Sequence, residues 1–353
     1  MSYTPFNAPI LSALFGDMEC AKHFSVKADI DAMLRFEVAL AKAEGEEGII
    51  PKEAATAIAE AAERFEPDVK NLSAAASKDG LAVPNFVEQL RMEVGEYGNA
   101  VHFGATSQDV VDTSLILRLK ELNQILKQRL ESISHTLSEL KKNNENNAIQ
   151  ARTRSKIALP TMAKDRIALW LKPLRDCLYE LESMDEKLIC VQFGGPVGTL
   201  EKLNGKGDRV RAKLAETLEL NDPGYCWHTD RRNIVSYTDF LITLCGSIGK
   251  MGQDIVLMAQ DERREIELDG GGNSSAMAHK KNPILAESLV TLAHFTACLS
   301  SPMKASLVHE QERSGIMWSL EWMIVPQLCV ATGASLRNAE KLLHSIRSIG
   351  TKA

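Results

Sequence analysis

Aromatic residues make up only 5% of this sequence, and strict alternation of apolar and polar residues is scarce. β-Strands favour aromatic and β-branched residues, and they show that alternation when one face is buried. Residues that favour helices dominate instead. With 44% hydrophobic and 25% charged residues, the composition is that of an ordinary soluble globular protein. The sequence therefore predicts an all-α fold.

Paired cysteines are also missing. The seven cysteines are scattered, odd in number and form no C-x-x-C pair. This pattern argues against a disulfide framework or a structural zinc site, and it is typical of a reducing compartment. The N-terminal segment has neither the charged nor the apolar region of a signal peptide. We therefore expect a cytoplasmic protein.

The sequence lacks blocks of like charge. Its net charge is −6, with both signs mixed along the chain. Without a cluster of Lys and Arg, neither a nucleic acid nor a membrane surface is an expected partner. The longest apolar-rich stretch, residues 234–260, contains Asp239, Lys250 and Asp254, which a membrane span would rarely contain. A small anionic substrate remains compatible, because a few convergent cations outweigh a weakly acidic surface locally.

Helical periodicity divides the chain into two parts. Short helices predicted over 31–47, 52–65 and 84–97 indicate a small N-terminal helical domain at 1–108. Residues 109–353 are expected to form a bundle of long helices, because leucines and isoleucines recur at three- and four-residue spacing. These helices are predicted at about 115–140, 161–189 (with Pro173 inside), 234–268, 283–298 and 315–347. Segment 234–260 is apolar on nearly every side, which predicts burial by other subunits.

The segment His102-Phe-Gly-Ala-Thr-Ser-Gln-Asp109 precedes the first long helix. Gly104 permits a tight backbone, and Thr106 and Ser107 bring hydroxyls and amides to a helix N-terminus, which favours anions. Spacing alone favours the simpler interpretation of a helix cap, with Asp109 or Asp112 as the capping residue. The segment is therefore either an anion site or a cap.

Residues 269–283 combine three glycines with two serines, a histidine and two lysines. Asn282 and Pro283 are then expected to start a helix as its N-cap and first-turn proline. Such a segment is typical of a lid that is flexible when open and binds an anion when closed. A flexible linker is the alternative, although a linker would not need these side chains together with a capped helix.

Three further segments carry weaker signals. The glycines of 192–199 allow close backbone approach to a ligand, although a turn is about as consistent with them. Arg313 within 309–314 has the charge to hold an anion, but most such charge runs are solvated faces. Residues 227–232 are either part of a site or a turn with surface arginines. No histidine pairs with carboxylates at metal-ligand spacing, so we expect neither a metal nor another cofactor.

These loops resemble the shared segments of the fumarase/aspartase superfamily. Asn273-Ser-Ser-Ala-Met-Ala-His-Lys-Lys-Asn-Pro283 is similar to its highly specific signature, Gly-Ser-Ser-x-Met-x-x-Lys-x-Asn-Pro. Residues 102–109 resemble the first shared segment, and 151–160 lie where the second is expected. All three occur in the family's order with long helices between them, so the resemblance covers nearly the whole chain. The segments that look most like the carboxymuconate cycloisomerases are 192–195, 227–231 and 312–322.

Some positions depart from the superfamily pattern. Asn273 replaces the signature glycine, and Ala278 replaces its usual proline. Arg154 stands where lyases of the superfamily carry a catalytic histidine. Since the cycloisomerases also lack that histidine, this departure favours them. The sequence ends near residue 353, so we expect the family's small C-terminal helical domain to be absent.

The resemblance implies conversion of 3-carboxy-cis,cis-muconate into 4-carboxymuconolactone through an enediolate-type intermediate, in the protocatechuate branch of the β-ketoadipate pathway. Ser274 matches the catalytic serine of the family, and Lys280 is expected to act with it. The expected substrate-binding residues are His102, Thr106, Ser107, Gln108, Arg154, Ser275, Asn282 and Arg313. Because the superfamily assembles each active site from three subunits, the resemblance also implies a homotetramer that acts on a small tricarboxylate.

Two other functions stay open from the sequence. A lyase acting on a succinyl adduct, such as adenylosuccinate or argininosuccinate, would release fumarate, although Arg154 and Trp318 count against it. A structural protein that kept the fold without catalysis is the second, but the intact set of Ser274, Lys280 and Asn282 argues against it. Whether Ser274 or a group near Arg154 moves the proton is also left open.

Overall fold

The computed structural model describes residues 4–277 and 279–352. Ala278, the expected departure from the signature proline, lies outside the described residues. The N-terminal helices are α1 (Ser12–Phe15), α2 (Met18–Ala21), α3 (Val26–Glu46), α4 (Lys52–Arg64), α5 (Val69–Asp79) and α6 (Val83–Val94). α3 begins after Ser25, whose hydroxyl accepts the Ala28 N–H as an N-cap. Helices α3, α4 and α6 confirm the three short helices predicted from the sequence.

Longer helices form the body of the molecule. The remaining helices are α7 (Ser107–Asn143), α8 (Ala163–Leu188), α9 (Gly207–Leu218), α10 (Arg232–Met258), α11 (Ile284–Cys298), α12 (Ser300–Ala305) and α13 (Gly315–His344), with 3-10 turns at Lys22–Phe24, Gly95–Ala100 and Glu201–Leu203. α7 packs against α8 and α13, and α10 packs against α8, α11 and α13. Leu119, Leu122 and Leu126 are fully buried at helical spacing along α7. The expected bundle of long helices is confirmed.

Short strands occur where the sequence predicted helix or loop. They are β1 (Asn147–Thr153), β2 (Lys156–Met162), β3 (Ile266–Leu268), β4 (Gly272–Asn273), β5 (Lys281–Asn282), β6 (Ile346–Ile349) and β7 (Thr351–Lys352). β3 pairs antiparallel with β6, and Ile266 lies opposite Ile349. The predicted extension of helices to residues 268 and 347 was therefore wrong. α10 and α13 end earlier, because these two isoleucines are buried by pairing as strands.

β1 and β2 form an antiparallel hairpin whose turn contains Arg154 and Ser155. Both residues have left-handed backbone angles, with φ of 49° and 66°. Two-residue hairpin turns of this kind usually take Asn and Gly at these positions. Since neither residue type is present, the sequence contained no hairpin signal. The turn leaves Arg154 exposed at the tip of the hairpin.

α10 presents one stripe of small and polar residues to solvent. The exposed residues along this stripe are Ser236, Thr243, Gly246, Lys250 and Gln253. The rest of the helix surface packs on α8, α11 and α13. A single chain therefore leaves one polar stripe of this helix uncovered, and the predicted burial by other subunits stays a prediction.

Two stretches, 232–258 and 284–305, are long and apolar enough to cross a membrane by length and composition alone. This is weak evidence for a membrane span, because core helices of folded domains pass the same test. In the structure, half of the first apolar window is buried inside the protein.

A buried ion-pair network joins three helices beneath the start of α7. Arg231, the residue before α10, donates to Asp112 of α7 (2.7 and 3.1 Å) and to Glu321 of α13 (3.0 and 2.6 Å). The Trp318 indole adds a hydrogen bond to Asp112 (3.0 Å), and the Trp227 ring lies 4.9 Å from the guanidinium. Buried charges are tolerated only when they are paired and hydrogen-bonded. The network therefore fixes how the three helices meet, and Arg231 is not a surface arginine.

We expect Arg231→Met to lower the free energy of unfolding by about 3–5 kcal/mol, because it leaves Asp112 and Glu321 buried without a counter-charge. Urea denaturation followed by circular dichroism measures the change. Arg232→Met is the matched control, because Arg232 is exposed and its ion pair in the described part of the chain is with Asp230, two residues away. Equal unfolding midpoints for the two variants would contradict the structural role of the network.

Candidate active site

The first shared segment ends at the N-terminus of α7, where backbone N–H groups lack helical partners. Thr106 precedes the helix and Ser107 begins it, and both are partly exposed. The Thr106 N–H donates to Asp109 Oδ2 (3.0 Å), so Asp109 reaches back from the first turn. Asp109 therefore does cap the helix, as the third helical residue of a capping box whose N-cap is Thr106. The expectation that Asp109 or Asp112 is itself the N-cap was wrong, since both lie inside α7. Thr106 and Ser107 remain accessible at the positive end of the helix dipole.

The carboxylate of Asp109 is fully buried and gathers donors from three other segments. It accepts the N–H groups of Gly194 and Gly195 (both 2.9 Å) and contacts His228 Nε2 (2.7 Å). Burial lowers the pKa of His228, but the hydrogen bonds and charges of Asp109 and Cys226 together outweigh burial and raise that pKa to about 9. His228 is therefore cationic at neutral pH and balances the Asp109 charge.

The glycines of 192–199 serve close packing within the chain. A Cβ on Gly194 would lie 2.2 Å from Cys226 Sγ, and one on Gly195 would lie 2.7 Å from the Gly104 carbonyl oxygen. Their N–H groups are occupied by Asp109. These glycines therefore have a structural role: they let this loop pack against the first segment. They do not serve the close approach of a ligand to the backbone.

Gln108 is fully buried and points away from the accessible start of α7. Its side-chain amide donates to the His228 carbonyl (2.9 Å) and to Asp112 Oδ2 (3.1 Å). Its Oε1 has no hydrogen-bond partner among the described residues, so contact between Gln108 and a substrate stays a prediction. One helical residue, or about 100° of rotation, separates its direction from that of Ser107.

His102 contacts Glu37 of α3, a residue that the sequence analysis missed. His102 Nδ1 lies 2.7 Å from Glu37 Oε1, and the carboxylate is 1% exposed. A signal for Glu37 was present, because it lies on the buried face of α3 beside Phe36, Ala39 and Leu40. A carboxylate on such a face requires a partner.

The hairpin that carries the second segment is anchored near its base. Arg152 pairs with Glu265 (2.7 Å), which also accepts the Gln150 N–H (3.2 Å). Arg154, at the tip, makes no hydrogen bond or ion pair with any other residue in the described part of the chain. Its guanidinium is exposed to solvent. The hairpin follows the C-terminal end of α7, whose 37 residues place that end about 55 Å from the helix start.

Within the third segment, the Ser274 hydroxyl oxygen receives two backbone hydrogen bonds. The N–H groups of Ala276 and Met277 lie 3.3 and 3.1 Å from Ser274 Oγ. Hydrogen bonds donated to an oxygen favour its anionic form. From the sequence, only Lys280 was expected to act with Ser274; the two amides could not be inferred, because they depend on the local turn.

The base of this loop is a short antiparallel pair. Gly272 lies opposite Asn282, and Asn273 lies opposite Lys281 in β4 and β5. The prediction that Asn282 caps the next helix was wrong, because Pro283 occupies the N-cap position and α11 begins at Ile284. Ser275, His279 and Lys280 are exposed on the loop.

Arg313 joins the weaker segment 309–314 to the glycine loop. Its Nη2 donates to the Pro196 carbonyl oxygen (2.7 Å). Because Gly195 also touches Gly104, Arg313 and the first segment belong to one continuous region. The region contains His102, Thr106, Ser107 and Arg313, whereas no hydrogen bond or ion pair within residues 4–277 and 279–352 links it to Arg154 or Ser274.

The structure offers no evident metal position among the residues it describes. No group of three or more His, Cys, Asp or Glu side chains there is arranged to hold a metal ion. The buried acids Asp109, Asp112 and Glu321 are instead paired with His228 and Arg231.

The chain matches the model of a lyase family over residues 13–295. It is 33% identical to a 3-carboxy-cis,cis-muconate cycloisomerase of Pseudomonas aeruginosa, over 98% of this chain and 77% of that protein. It is 28% identical to an N-acetyl-S-(2-succino)cysteine lyase of Dickeya dadantii, over 94% and 74% of the two chains. The fold matches the crystal structure of a 3-carboxy-cis,cis-muconate lactonizing enzyme from Pseudomonas putida, with a TM-score of 0.90, 32% identity, and coverage of 97% and 77%.

Proposed function

Because the chain belongs to the lyase family of the fumarase/aspartase superfamily, we propose that it converts 3-carboxy-cis,cis-muconate into 4-carboxymuconolactone. The observation that carries this proposal is the similarity, over nearly the whole chain, to cycloisomerases in both sequence and fold. Arg154, at the position where lyases of the superfamily carry a histidine, supports the same choice.

The reaction is an intramolecular addition. An oxygen of one substrate carboxylate forms a C–O bond to an alkene carbon, and the π electrons move into a conjugated carboxylate to give an enediolate. A proton then adds to the adjacent carbon, the carboxylate re-forms, and the lactone is complete. The site must therefore supply cationic or amide groups where negative charge collects, together with one proton donor.

Ser274 is the proposed proton donor. A serine is a weak acid, so its alkoxide must be stabilised if it is to lose a proton to carbon. The two N–H groups of Ala276 and Met277 that point at Ser274 Oγ supply such stabilisation. Lys280, exposed on the same loop, would add positive charge near the enediolate. Solvent would return the proton to Ser274 after each turnover.

The other binding groups would hold the remaining carboxylates. Thr106 and Ser107 at the start of α7 suit one carboxylate, since amides and hydroxyls meet the helix dipole there. Arg154 suits another through bidentate contact. Asn282, Ser275 and Arg313 complete the proposed set.

We further propose that each site is completed by several chains of a homotetramer. No hydrogen bond or ion pair among the described residues joins Arg154 or Ser274 to the α7 region. Arg154 lies on a hairpin whose Ile157 and Leu159 are 71% and 76% exposed. Large exposed apolar side chains on one element favour contact with another surface. The exposed stripe of α10 would pack between chains in the same assembly.

A second candidate is a lyase that releases fumarate from a succinyl adduct. The similarity to an N-acetyl-S-(2-succino)cysteine lyase favours it. In this reaction Ser274 would act as a base that removes a proton from carbon, whereas in lactonisation it donates one. It differs from the first proposal in its product, so the two are separable by assay.

The purified protein should remove the ultraviolet absorbance of 3-carboxy-cis,cis-muconate, because lactonisation breaks the conjugated diene. Chelation beforehand should leave the rate unchanged. The control is fumarate release from adenylosuccinate, argininosuccinate and N-acetyl-S-(2-succino)cysteine. Rapid fumarate release, without loss of the diene, would replace the cycloisomerase proposal with the lyase one.

Ser274→Ala should lower kcat by roughly 10²–10⁴-fold while KM changes little, because a proton donor acts in the transition state. Ser275→Ala is the matched control and should affect KM more than kcat. Arg154→Ala should mainly raise KM, whereas Lys280→Ala should worsen both parameters. If Ser274→Ala kept a near-normal kcat and Arg154→Ala had almost none, the group that transfers the proton would have to lie on the hairpin.

A further inference from the structure

Two glutamates on α3 lie beneath the first segment and have opposite surroundings. Glu37 is hydrogen-bonded to His102 Nδ1 at 2.7 Å. Glu44 is fully buried, and neither of its carboxylate oxygens has a hydrogen-bond partner within the described residues. Glu44 Oε1 lies 3.8 Å from the point where a Cβ on Gly104 would be, so it packs under the same loop.

The contact with Glu37 decides which ring nitrogen of His102 is available. Nδ1 carries a hydrogen and donates to the carboxylate, so the ring presents Nε2 in the other direction. Nε2 is not among the buried unpartnered atoms, and 13% of the side chain remains exposed. Nδ1 is therefore bound to Glu37, and Nε2 is free to contact a molecule on the solvent-accessible side of the ring.

The backbone of His102 is held in an uncommon conformation. Its φ is 62°, in the left-handed region that residues other than glycine rarely adopt. Such strain persists only where the surroundings impose it, and it clusters at functional sites. The strained backbone and the buried glutamate therefore act together to set the direction of one imidazole.

We propose that Glu37 is a positioning residue that orients His102 so that its Nε2–H donates to a substrate carboxylate beside the start of α7. This rests on the proposed function, because it assumes a substrate with several carboxylates. The buried carboxylate does not touch the substrate and acts only through the ring.

The charges around the ring are consistent with this role. Burial lowers the pKa of His102, but the charge and hydrogen bond of Glu37 outweigh it, and Asp109 adds to them while Arg91 opposes them. The net effect raises the pKa, so the cationic form of the ring persists to higher pH than in a free imidazole. Burial, followed by the charge of Glu37, raises the pKa of Glu44 to about 9. Glu44 is therefore neutral at pH 7, and Glu37 is the carboxylate in contact with the ring.

Glu37→Gln and Glu44→Gln form a matched pair, because they make the same change on one helix. Glu37→Gln should raise KM for the tricarboxylate roughly 10- to 100-fold at neutral pH, with kcat changed much less, since it weakens a charge-assisted contact. Glu44→Gln should leave KM unchanged, because it replaces a neutral acid with a neutral amide. His102→Gln should reproduce the rise in KM even if Glu37→Gln folds poorly.

The pH dependence separates positioning from a merely structural effect. A cationic ring binds the carboxylate, so affinity should fall as pH rises through the raised pKa of His102. In Glu37→Gln the fall should begin at lower pH, whereas Glu44→Gln should keep the wild-type profile. An unchanged profile in Glu37→Gln, or equal KM values for the two glutamine variants, would overturn the proposal.

Calorimetric binding of propane-1,2,3-tricarboxylate, a saturated tricarboxylate, gives a test that needs no turnover. Weakened binding in Glu37→Gln and His102→Gln, but not in Glu44→Gln, supports the positioning role even if the cycloisomerase assay fails. Undetectable binding to the wild-type protein, or binding that does not depend on Glu37, overturns it while leaving the diene assay to decide the proposed function.

Discussion

The buried carboxylate of Asp109 is the group on which the arrangement of the α7 region depends. A charge removed from water needs donors close by, and these come from the turn before α7, from the glycine loop and from His228. Satisfying one charge thus fixes several segments at once. Directly below, Arg231 does the same for α7, α10 and α13. Thr106 and Ser107 are accessible and lie directly above these buried ion pairs. Their positions are therefore fixed without a bound substrate.

Local patterns explain which parts of the fold were predictable. The leucines of α7 recur at helical spacing and are buried, so the bundle and its main helices could be inferred. The β1–β2 hairpin could not, because Arg154 and Ser155 occupy a turn that usually takes Asn and Gly. Motif resemblance indicated candidate segments but not the direction of each side chain, as the buried Gln108 shows. The amide hydrogen bonds to Ser274 and the Glu37–His102 contact could not be predicted for the same reason: both depend on the folded geometry rather than on residue type.

The main consequence for function is that, among the described residues, no hydrogen bond or ion pair joins the α7 region, the hairpin tip and the serine loop of one chain. The α7 region presents hydroxyls, amides and His102, the hairpin displays Arg154, and the β4–β5 loop holds Ser274 with its two amide donors. A tricarboxylate needs all three kinds of group within a few ångströms, because its charges are only a few bonds apart. A site assembled from neighbouring chains satisfies this requirement. It also gives a use to the exposed apolar face of the hairpin and to the polar stripe of α10.

Mixing two defective chains tests the shared site most directly. Ser274→Ala and Arg154→Ala chains, each with a different affinity tag, would be co-expressed and the mixed oligomers isolated by both tags. Activity would be measured at a substrate concentration well below the wild-type KM, where each variant alone is impaired. A shared site predicts recovery of activity in the mixed oligomers, because some sites then receive Arg154 and Ser274 intact from different chains. Mixed oligomers no more active than either variant alone would show that each chain supplies both residues to its own site.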